Sequence, residues 1–522
     1  MNRRRRLGRI AAALLLAAAA VWWMARVPDR PLRVFRAIPA GADFVGLHDR
    51  CADRADALLA SPPARLLAEQ FGLTPAAWDA IRSDPPTRAW MRRLADGRVA
   101  TASLPRPGGR RAWLAVSDIG ARSIRLRWML KLGALPSFRR FGAHGGRTLW
   151  ILATEQPESP EQLAITFEEG LLIAVWTTDP GDLILALEAY DGSIESLASN
   201  GRGEEFLRRP AAPDRLWWAG APAWPLGPAW IRIERADADG IEGQAEFPAL
   251  LGRVARPGRG ASAADAVSLF GPSAFAAVAF DPEWLFTQLQ GLPAPGPAVL
   301  VLDYLRRETT SPAALGLFGG GYSGRLFGMK VPGVIGAAAL RRPEAAPAAL
   351  LEWTDRINAM YRAAVSLGPV PDPAGALLSV SISSLPFYAA LPTTEQAAVA
   401  FRDNRMYAAS NLDTLRAVLA AAPRGPATAP PARPATSAAL RVNLKEGEPS
   451  IRNGLAVVAL ALMMQDREGT RAARAAIHRI RDTLLWLAPL GCIEADWHWS
   501  EDDTPVLRFA AGVPASTGGT EP

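Results

Sequence analysis

Apolar runs that alternate with turn signals and helical stretches recur along the chain. Residues 163–167 and 171–176 are apolar or β-branched and are separated by Glu168-Glu169-Gly170, a pattern that predicts a β-hairpin. Residues 397–401 and 406–409 repeat it 234 positions later. A stretch with helical spacing of leucines follows each hairpin. Two hairpin–helix units are therefore predicted.

The residues at the turns and helix starts fit the same interpretation. Gly170 and Asn404 can supply the positive φ that a tight hairpin turn needs. Asp179 and Asn411 are candidate helix N-caps, because their side-chain oxygens accept free backbone N–H groups. The recurrence predicts an internal duplication, although a generic alternation of strands and helices would produce a similar pattern.

Further elements occur in the same order in both halves. Residues 44–49 and 275–281 read as strands, and residues 112–117 and 334–340 read as strands that each lead to a helix. Hairpins mixed with helices predict an α+β fold class with two tandem related modules of largely antiparallel sheet; parallel α/β is the runner-up. The modules are placed at 31–252 and 264–515, with extra helices at 453–487 and a disordered tail at 516–522.

The N-terminus carries the pattern of a membrane segment. Residues 10–25 are apolar and follow a cluster of arginines, while tryptophans close the run. A span needs about 20 residues, and counting from residue 7 supplies nearly that length. The sequence predicts a transmembrane signal anchor at residues 1–30, and a cleaved signal peptide is the main alternative. The anchor residues are Arg3, Arg4, Arg5, Arg6, Trp22 and Trp23.

Charge then decides orientation and excludes one class of partner. The arginines lie before the apolar run, which predicts a cytoplasmic N-terminus and a single-pass protein of the bacterial inner membrane with its bulk in the periplasm. The formal net charge is +7. Residues 1–36 hold nine Arg and one Asp, a net +8, so the remainder is close to neutral. No nucleic-acid partner is expected, and the expected partners are the lipid bilayer and another envelope protein.

Candidate chemistry is sparse. Cys51 and Cys492 are a candidate disulfide, with two buried thiols as the alternative. Cys492, Glu494, Asp496 and His498 share one face of a predicted strand, but same-face residues about 6.5 Å apart cannot converge on one ion. His48-x-x-Cys51 could contribute to a metal site only with distant residues, and a structural histidine is favoured. No catalytic, cofactor-binding or metal-binding residues are therefore assigned.

The early strand at residues 38–46 (IPAGADFVG) and the units at 163–187 and 397–419 resemble a loose group of uncharacterised bacterial envelope proteins. The resemblance implies an exported, non-enzymatic protein and transfers no catalytic residues. The leading hypothesis is a membrane-anchored periplasmic protein that binds or scaffolds another envelope component. The alternatives are a carrier or sensor of an apolar ligand such as lipid, and a hydrolase with dispersed acidic residues.

Overall fold

The structure is a computed structural model of the 522-residue chain. It describes the following residues: 30–62, 64–65, 68, 74–107, 110–152, 162–220, 227–248, 263–268, 270, 274–283, 286, 297–319, 324–326, 329–362, 364–371, 377–384, 391–421, 438–444, 488–500 and 504–512. The chain divides into two compact units, Met1–Ala238 and Asp239–Pro522.

Unit 1 contains nine strands and seven helices among its described residues. The strands are β1 Phe44–His48, β2 Val99–Pro105, β3 Arg111–Asp118, β4 Phe138–His144, β5 Arg147–Leu152, β6 Gln162–Glu168, β7 Leu171–Thr177, β8 Asp214–Trp218 and β9 Ala229–Asp237. The helices are α1 Arg33–Arg36, α2 Ala55–Ala60, α3 Pro75–Ser83, α4 Pro85–Leu94, α5 Arg122–Lys131, α6 Asp182–Asp191 and α7 Arg202–Arg208.

The strands of unit 1 form an antiparallel sheet in the order β4-β5-β6-β7-β3-β2-β1-β8-β9. The sheet is apolar on both faces, as β7 shows. Leu171, Ile173 and Val175 join the core beneath α1 and α6. Leu172 and Ala174 lie on the opposite face, against the core that α5 covers. Helices on both faces explain why the strands read as nearly continuous apolar runs.

Unit 2 contains thirteen strands and four α-helices among its described residues. The strands are β10 Gly240–Glu246, β11 Ala274–Phe280, β12 Thr309–Phe318, β13 Gly324–Leu326, β14 Met329–Val331, β15 Gly333–Leu340, β16 Val365–Val370, β17 Leu377–Ile382, β18 Ala398–Arg402, β19 Arg405–Ala409, β20 Ala438–Asn443, β21 Cys492–Trp499 and β22 Pro505–Gly512. The helices are α8 Ala263–Ser268, α9 Pro297–Glu308, α10 Ala346–Tyr361 and α11 Leu412–Ala421, and short 3-10 turns lie at Thr393–Glu395 and Ala488–Leu490.

The pairing order of unit 1 recurs in unit 2. Its antiparallel sheet runs β16-β17-β18-β19-β15-β12-β11-β20-β21-β22-β10, and the first nine strands correspond one to one with those of unit 1. Helix α11 covers one core and α10 covers the other. The same elements thus bury the same faces in both units, which is the relation expected of a duplicated module.

The two predicted hairpins and their turns are confirmed. Strands β6 and β7 pair across Glu169 and Gly170, whose φ values are 40° and 88°. Strands β18 and β19 pair across Asp403 and Asn404, with φ values of 51° and 58°. Two consecutive positive φ angles are the geometry of the two-residue turns that match the twist of antiparallel strands.

One predicted N-cap is confirmed and the other is wrong. Asn411 Oδ1 accepts the Thr414 N–H at 2.7 Å, as an N-cap side chain should. Asp179 instead lies two residues before the N-cap of α6, which is Gly181, and its Oδ1 accepts the Gly181 N–H at 2.9 Å. Asp179 therefore orders the turn that leads into α6 rather than the helix end itself.

The predicted transmembrane anchor requires correction. Residues 1–29, which include Arg3, Arg4, Arg5, Arg6, Trp22 and Trp23, lie outside the described residues. No helix among the described residues combines the length and the hydropathy needed to cross a bilayer. The fold class is accordingly corrected to a mostly antiparallel sheet protein without a membrane-spanning helix among its described residues. The single-pass inner-membrane assignment is not supported by these residues either.

Other predictions fall outside the described residues. These include the helices at 453–487 and the tail at 516–522. The module limits, 31–252 and 264–515, stay predictions beside the observed division between Ala238 and Asp239.

Candidate functional site

A half-buried polar cluster, with Asp214 as its buried member, lies where β1 ends beside the start of β8. The antiparallel register places His48 opposite Asp214, and it places Gly46 opposite Thr101 on β2. Three central strands thus bring a histidine, a carboxylate and a hydroxyl to one end of the sheet, and Cys51 follows β1 in the next turn. We call His48, Cys51, Arg54, Thr101 and Asp214 the β1-end cluster.

Both ring nitrogens of His48 have partners. Nδ1 lies 2.8 Å from Asp214 Oδ1, and Nε2 lies 2.9 Å from Thr101 Oγ1. Because an ionised carboxylate only accepts hydrogen bonds, Nδ1 carries a proton when it bonds to Asp214. Gly46 makes room for the ring, since a Cβ there would lie 2.6 Å from both His48 Nε2 and Thr101 Oγ1.

Arg54 holds the other side of the same carboxylate. Its Nη1 donates to Asp214 Oδ2 at 2.8 Å, and its Nη2 donates to Oδ1 at 2.9 Å. Nη2 also reaches the carbonyl oxygens of Asp49 and Pro213, each at 3.1 Å. Burial of Asp214 opposes its ionisation, but the hydrogen bonds and charges of His48 and Arg54 outweigh burial and lower its pKa to about 2.

A second carboxylate extends the network. Asp49 accepts from Arg215, whose side chain is buried, and from Arg98 Nε at 3.3 Å. Each buried or half-buried charge near the end of β1 therefore has an opposite charge beside it. Such pairing offsets the desolvation that isolated ions would suffer there.

The thiol in this cluster is a poor nucleophile in the metal-free chain. Burial, followed by the negative charge of Asp214, raises the pKa of Cys51 to about 11 in spite of the opposing effect of Arg54. A reactive cysteine needs the opposite shift, because the thiolate is the attacking species. The Cys-His-Asp combination consequently does not have the electrostatics of a hydrolytic triad.

The four polar residues predicted to share one face of a strand lie on β21. Cys492 and His498 are buried at the two ends of β21, whereas Glu494 is exposed. The structure has Cys51 and Cys492 as free cysteines, one in each unit. The disulfide stays a prediction.

A different surface of unit 1 has the composition of a binding site. Helix α5 buries Leu126 and Leu130 against the sheet. It turns Ile124, Trp128 and the following Leu132 outwards, with 40%, 57% and 76% of their areas exposed. Spacings of four residues place these three side chains on one side of the helix. A soluble helix normally covers that side with polar residues.

The chain around this helix contains many cations and no carboxylates. Residues 119–154 include seven Arg or Lys and no Asp or Glu. Three arginines of the run are engaged: Arg122 with Asp96, Arg127 with the Phe167 carbonyl at 3.1 Å, and Arg147 with Asp191 at 2.7 Å.

Four exposed cations of this run have no carboxylate partner among the described residues: Arg125, Lys131, Arg139 and Arg140. Lys131 Nζ lies 5.5 Å from the centre of the Trp128 ring. The outward residues of α5 and these four cations are called the α5 face. Sequence reasoning missed it, although the 36-residue stretch without acidic residues was a readable signal.

The equivalent helix of unit 2 differs in charge. Helix α10 also exposes large apolar residues, with Leu351 53% and Met360 62% exposed. It carries Glu352 and Asp355 in addition to Arg356, so its surface charge is mixed. Of these two helices, only α5 has no acidic residue of its own.

The described part of unit 1 also has an open, polar cleft of about 440 Å³. Its lining residues are Ala52, Asp53, Arg92, Arg93, Asp96 and Arg122. The cleft is not suited to an apolar ligand, because five of its six lining side chains are charged.

Comparisons with known proteins give little further information. No protein-family model and no curated protein matches the chain. Crystal form IV of TP0453 matches with 9% identity and a TM-score of 0.24, over 44% of this chain and 84% of that one. Crystal form III matches with 10% identity and the same TM-score, over 42% and 80%. A TM-score of 0.24 is too low to support any conclusion about the fold or function of this chain. The resemblance to envelope proteins stays a prediction.

Proposed function

We propose that this chain is a non-catalytic binding protein that engages an acidic segment of a protein partner through the α5 face. The observation that carries the proposal is the outward stripe of Ile124, Trp128 and Leu132 beside exposed cations that have no carboxylate partner among the described residues. Tryptophan and arginine are the residues most enriched at the energetic centres of interfaces. Because residues 119–154 contain no Asp or Glu, the exposed cations of this run favour a partner of opposite charge.

A protein partner is favoured over a lipid surface because of the neighbouring strand. Strand β4 pairs with β5 alone among the described strands, so its other edge presents backbone N–H and C=O groups. Arg139, Arg140 and Phe141 are exposed on this strand. An extended acidic peptide can satisfy such an edge with main-chain hydrogen bonds, which lipid acyl chains cannot supply.

The two alternative functions have less support. A general acid of a hydrolase needs a raised carboxyl pKa. The carboxyl groups with resolved shifts, Asp84, Asp191 and Asp214, all have lowered pKa values. The open cleft of unit 1 does not favour an apolar ligand, because five of its six lining side chains are charged.

The test measures binding of a fluorescent 20-residue peptide of alternating Glu and Leu to the full chain. The variants are Trp128→Ala and the charge reversal Arg125→Glu/Arg139→Glu. The matched control is Leu351→Ala/Met360→Ala, which removes exposed apolar side chains from the corresponding helix of unit 2. A buried tryptophan anchor contributes about 2 kcal/mol, so we expect roughly a 30-fold loss of affinity for Trp128→Ala.

The charge reversal should weaken binding further and reduce its dependence on salt, while the control should bind normally. Equal loss in the control, or no binding by the unmodified chain, overturns the proposal. Vesicles containing phosphatidylglycerol provide the last arm. Binding to these vesicles without binding to the peptide would assign the α5 face to an anionic lipid surface instead.

A further inference from the structure

Three side chains of metal-binding type converge in the β1-end cluster. His48 ends β1, Cys51 lies in the following turn, and Asp214 begins β8. One ligand atom of each, a ring nitrogen, the sulfur and a carboxylate oxygen, lies within 4.8 Å of the other two. The pairing of β1 with β8, which places His48 opposite Asp214, fixes two of the three positions.

We propose that His48, Cys51 and Asp214 bind one zinc ion, with the fourth position open to water. Thiolate, imidazole and carboxylate are the ligands that zinc takes in proteins, at about 2.3, 2.0 and 2.1 Å. Those bond lengths in a tetrahedron place the ligand atoms about 3.4–3.6 Å apart. His48 Nδ1 and Asp214 Oδ1 are 2.8 Å apart and need to separate by less than about 1 Å, and the Cys51 sulfur lies within 4.8 Å of a ligand atom of each.

The surrounding hydrogen bonds are those of a metal site's outer shell. Zinc on Nδ1 requires the neutral His48 tautomer whose single ring proton is on Nε2, and that N–H donates to Thr101 Oγ1, 2.9 Å away. A fixed hydrogen bond on the far nitrogen sets the tautomer and the ring plane of a ligating histidine. Gly46 keeps the space beside that bond free, because any Cβ there would collide with it.

The carboxylate is also held from outside. Arg54 donates to both oxygens of Asp214, from Nη1 to Oδ2 at 2.8 Å and from Nη2 to Oδ1 at 2.9 Å, and Oδ1 is the oxygen that also faces His48 and the proposed metal position. On binding, the Cys51 thiol gives its proton to solvent and its sulfur joins the metal as a thiolate. Cys51 and His48 are only half-buried, so the ion has a path from solvent.

The two other strong candidate sites lack this convergence. On β21, His498 Nδ1 lies 3.5 Å from Asp496 Oδ1, but no third ligand-type residue of the described chain joins them. The open cleft of unit 1 contains arginines that are paired with aspartates. The β1-end cluster alone among the described residues brings nitrogen, sulfur and oxygen ligands together.

The test uses the full chain, stripped with EDTA and then exposed to zinc or cobalt. Elemental analysis should find one zinc per chain after dialysis, and cobalt should produce a thiolate-to-metal charge-transfer band. Cys51→Ser should abolish the band and reduce bound zinc at least tenfold. The control Cys492→Ser removes the other free thiol and should leave both readouts unchanged.

Thr101→Val tests the positioning residue. It retains all three ligands and should weaken zinc binding about 10- to 100-fold, while the charge-transfer band persists at saturating cobalt. Equal zinc content in the Cys51→Ser chain, or no thiolate band in the unmodified chain, overturns the proposal. Peptide binding at the α5 face involves none of these residues, so the two proposals fail independently.

Discussion

Replacing Asp214 with asparagine tests the energetic role of the β1-end cluster. The side chain of Asp214 is only 8% exposed, and it accepts hydrogen bonds from His48 and from both terminal nitrogens of Arg54. The substitution leaves the half-buried guanidinium of Arg54 without its counter-charge. Breaking a buried charge pair in this way costs about 3–5 kcal/mol.

Asp56→Asn is the matched control. Asp56 also pairs with arginines, Arg88 and Arg92, but its side chain is 53% exposed. Exposed pairs contribute about 1 kcal/mol or less, because water screens the charges. Hydrogen exchange of metal-free protein, followed by mass spectrometry over residues 44–48 and 214–218, reports the local free energy of opening. A loss for Asp214→Asn no larger than that for Asp56→Asn would refute the argument from buried charge.

The stabilisation that ionised Asp214 provides should decrease as the pH falls. The folded pKa of Asp214 is about 2, below the value of about 3.9 expected in the unfolded chain. Its ionised form therefore stabilises the fold above pH 4, by about 2–3 kcal/mol, and this contribution is lost as the pH falls from about 4 to about 2. In urea unfolding followed by tryptophan fluorescence, the difference between the unmodified chain and Asp214→Asn should shrink across that window. A difference that stays constant would contradict the assigned pKa.

Three further predictions concern unit 1. The first is made in a Cys492→Ser background without metal, where iodoacetamide should alkylate Cys51 about 100-fold more slowly at pH 8 than a thiol with pKa 9, because less thiolate is present. An alkylation rate that already levels off at pH 9 would contradict the pKa of about 11. Gly46→Ala should lower the free energy of unfolding by about 1–3 kcal/mol, because its Cβ would collide with His48 and Thr101. Gly142→Ala should lower it less, since the nearest atom to a Cβ there is 3.9 Å away. Equal melting temperatures of the two variants would contradict the steric argument. Phe206 is fully buried, and the centre of its ring lies 4.8 Å from the centre of the Trp230 ring. Phe206→Ala should therefore lower the free energy of chemical unfolding by about 3–5 kcal/mol. A loss below about 1 kcal/mol would contradict the packing.

Local sequence patterns were sufficient to predict the hairpins and several strands. The turn at Asp403-Asn404 could be predicted because Asp and Asn are among the few residue types that adopt positive φ angles. Asn411 was readable as an N-cap for a similarly local reason. The cap at Asp179 was misplaced by two residues, because the geometry of the entering turn also depends on the strand before it.

The membrane anchor illustrates a weaker kind of inference. An arginine cluster before an apolar run is a composition signal, and it suggested a spanning helix and a location together. The described residues contain no helix of the required length and hydropathy. The composition of a short segment shows that it could form a membrane-spanning helix. It identifies no tertiary contact that would establish this role.

By itself, the sequence determined the alternation of strands and helices, the hairpin turns and the acid-free run at residues 119–154, because each depends on neighbours along the chain. The tertiary structure decided which strands pair and which distant residues meet. His48 and Asp214 are 166 positions apart and become partners only because β1 and β8 are adjacent in the sheet. The outward side of α5 was likewise decided by the core that its other side covers. Long-range pairing and burial depend on the whole fold, so no local window contains them.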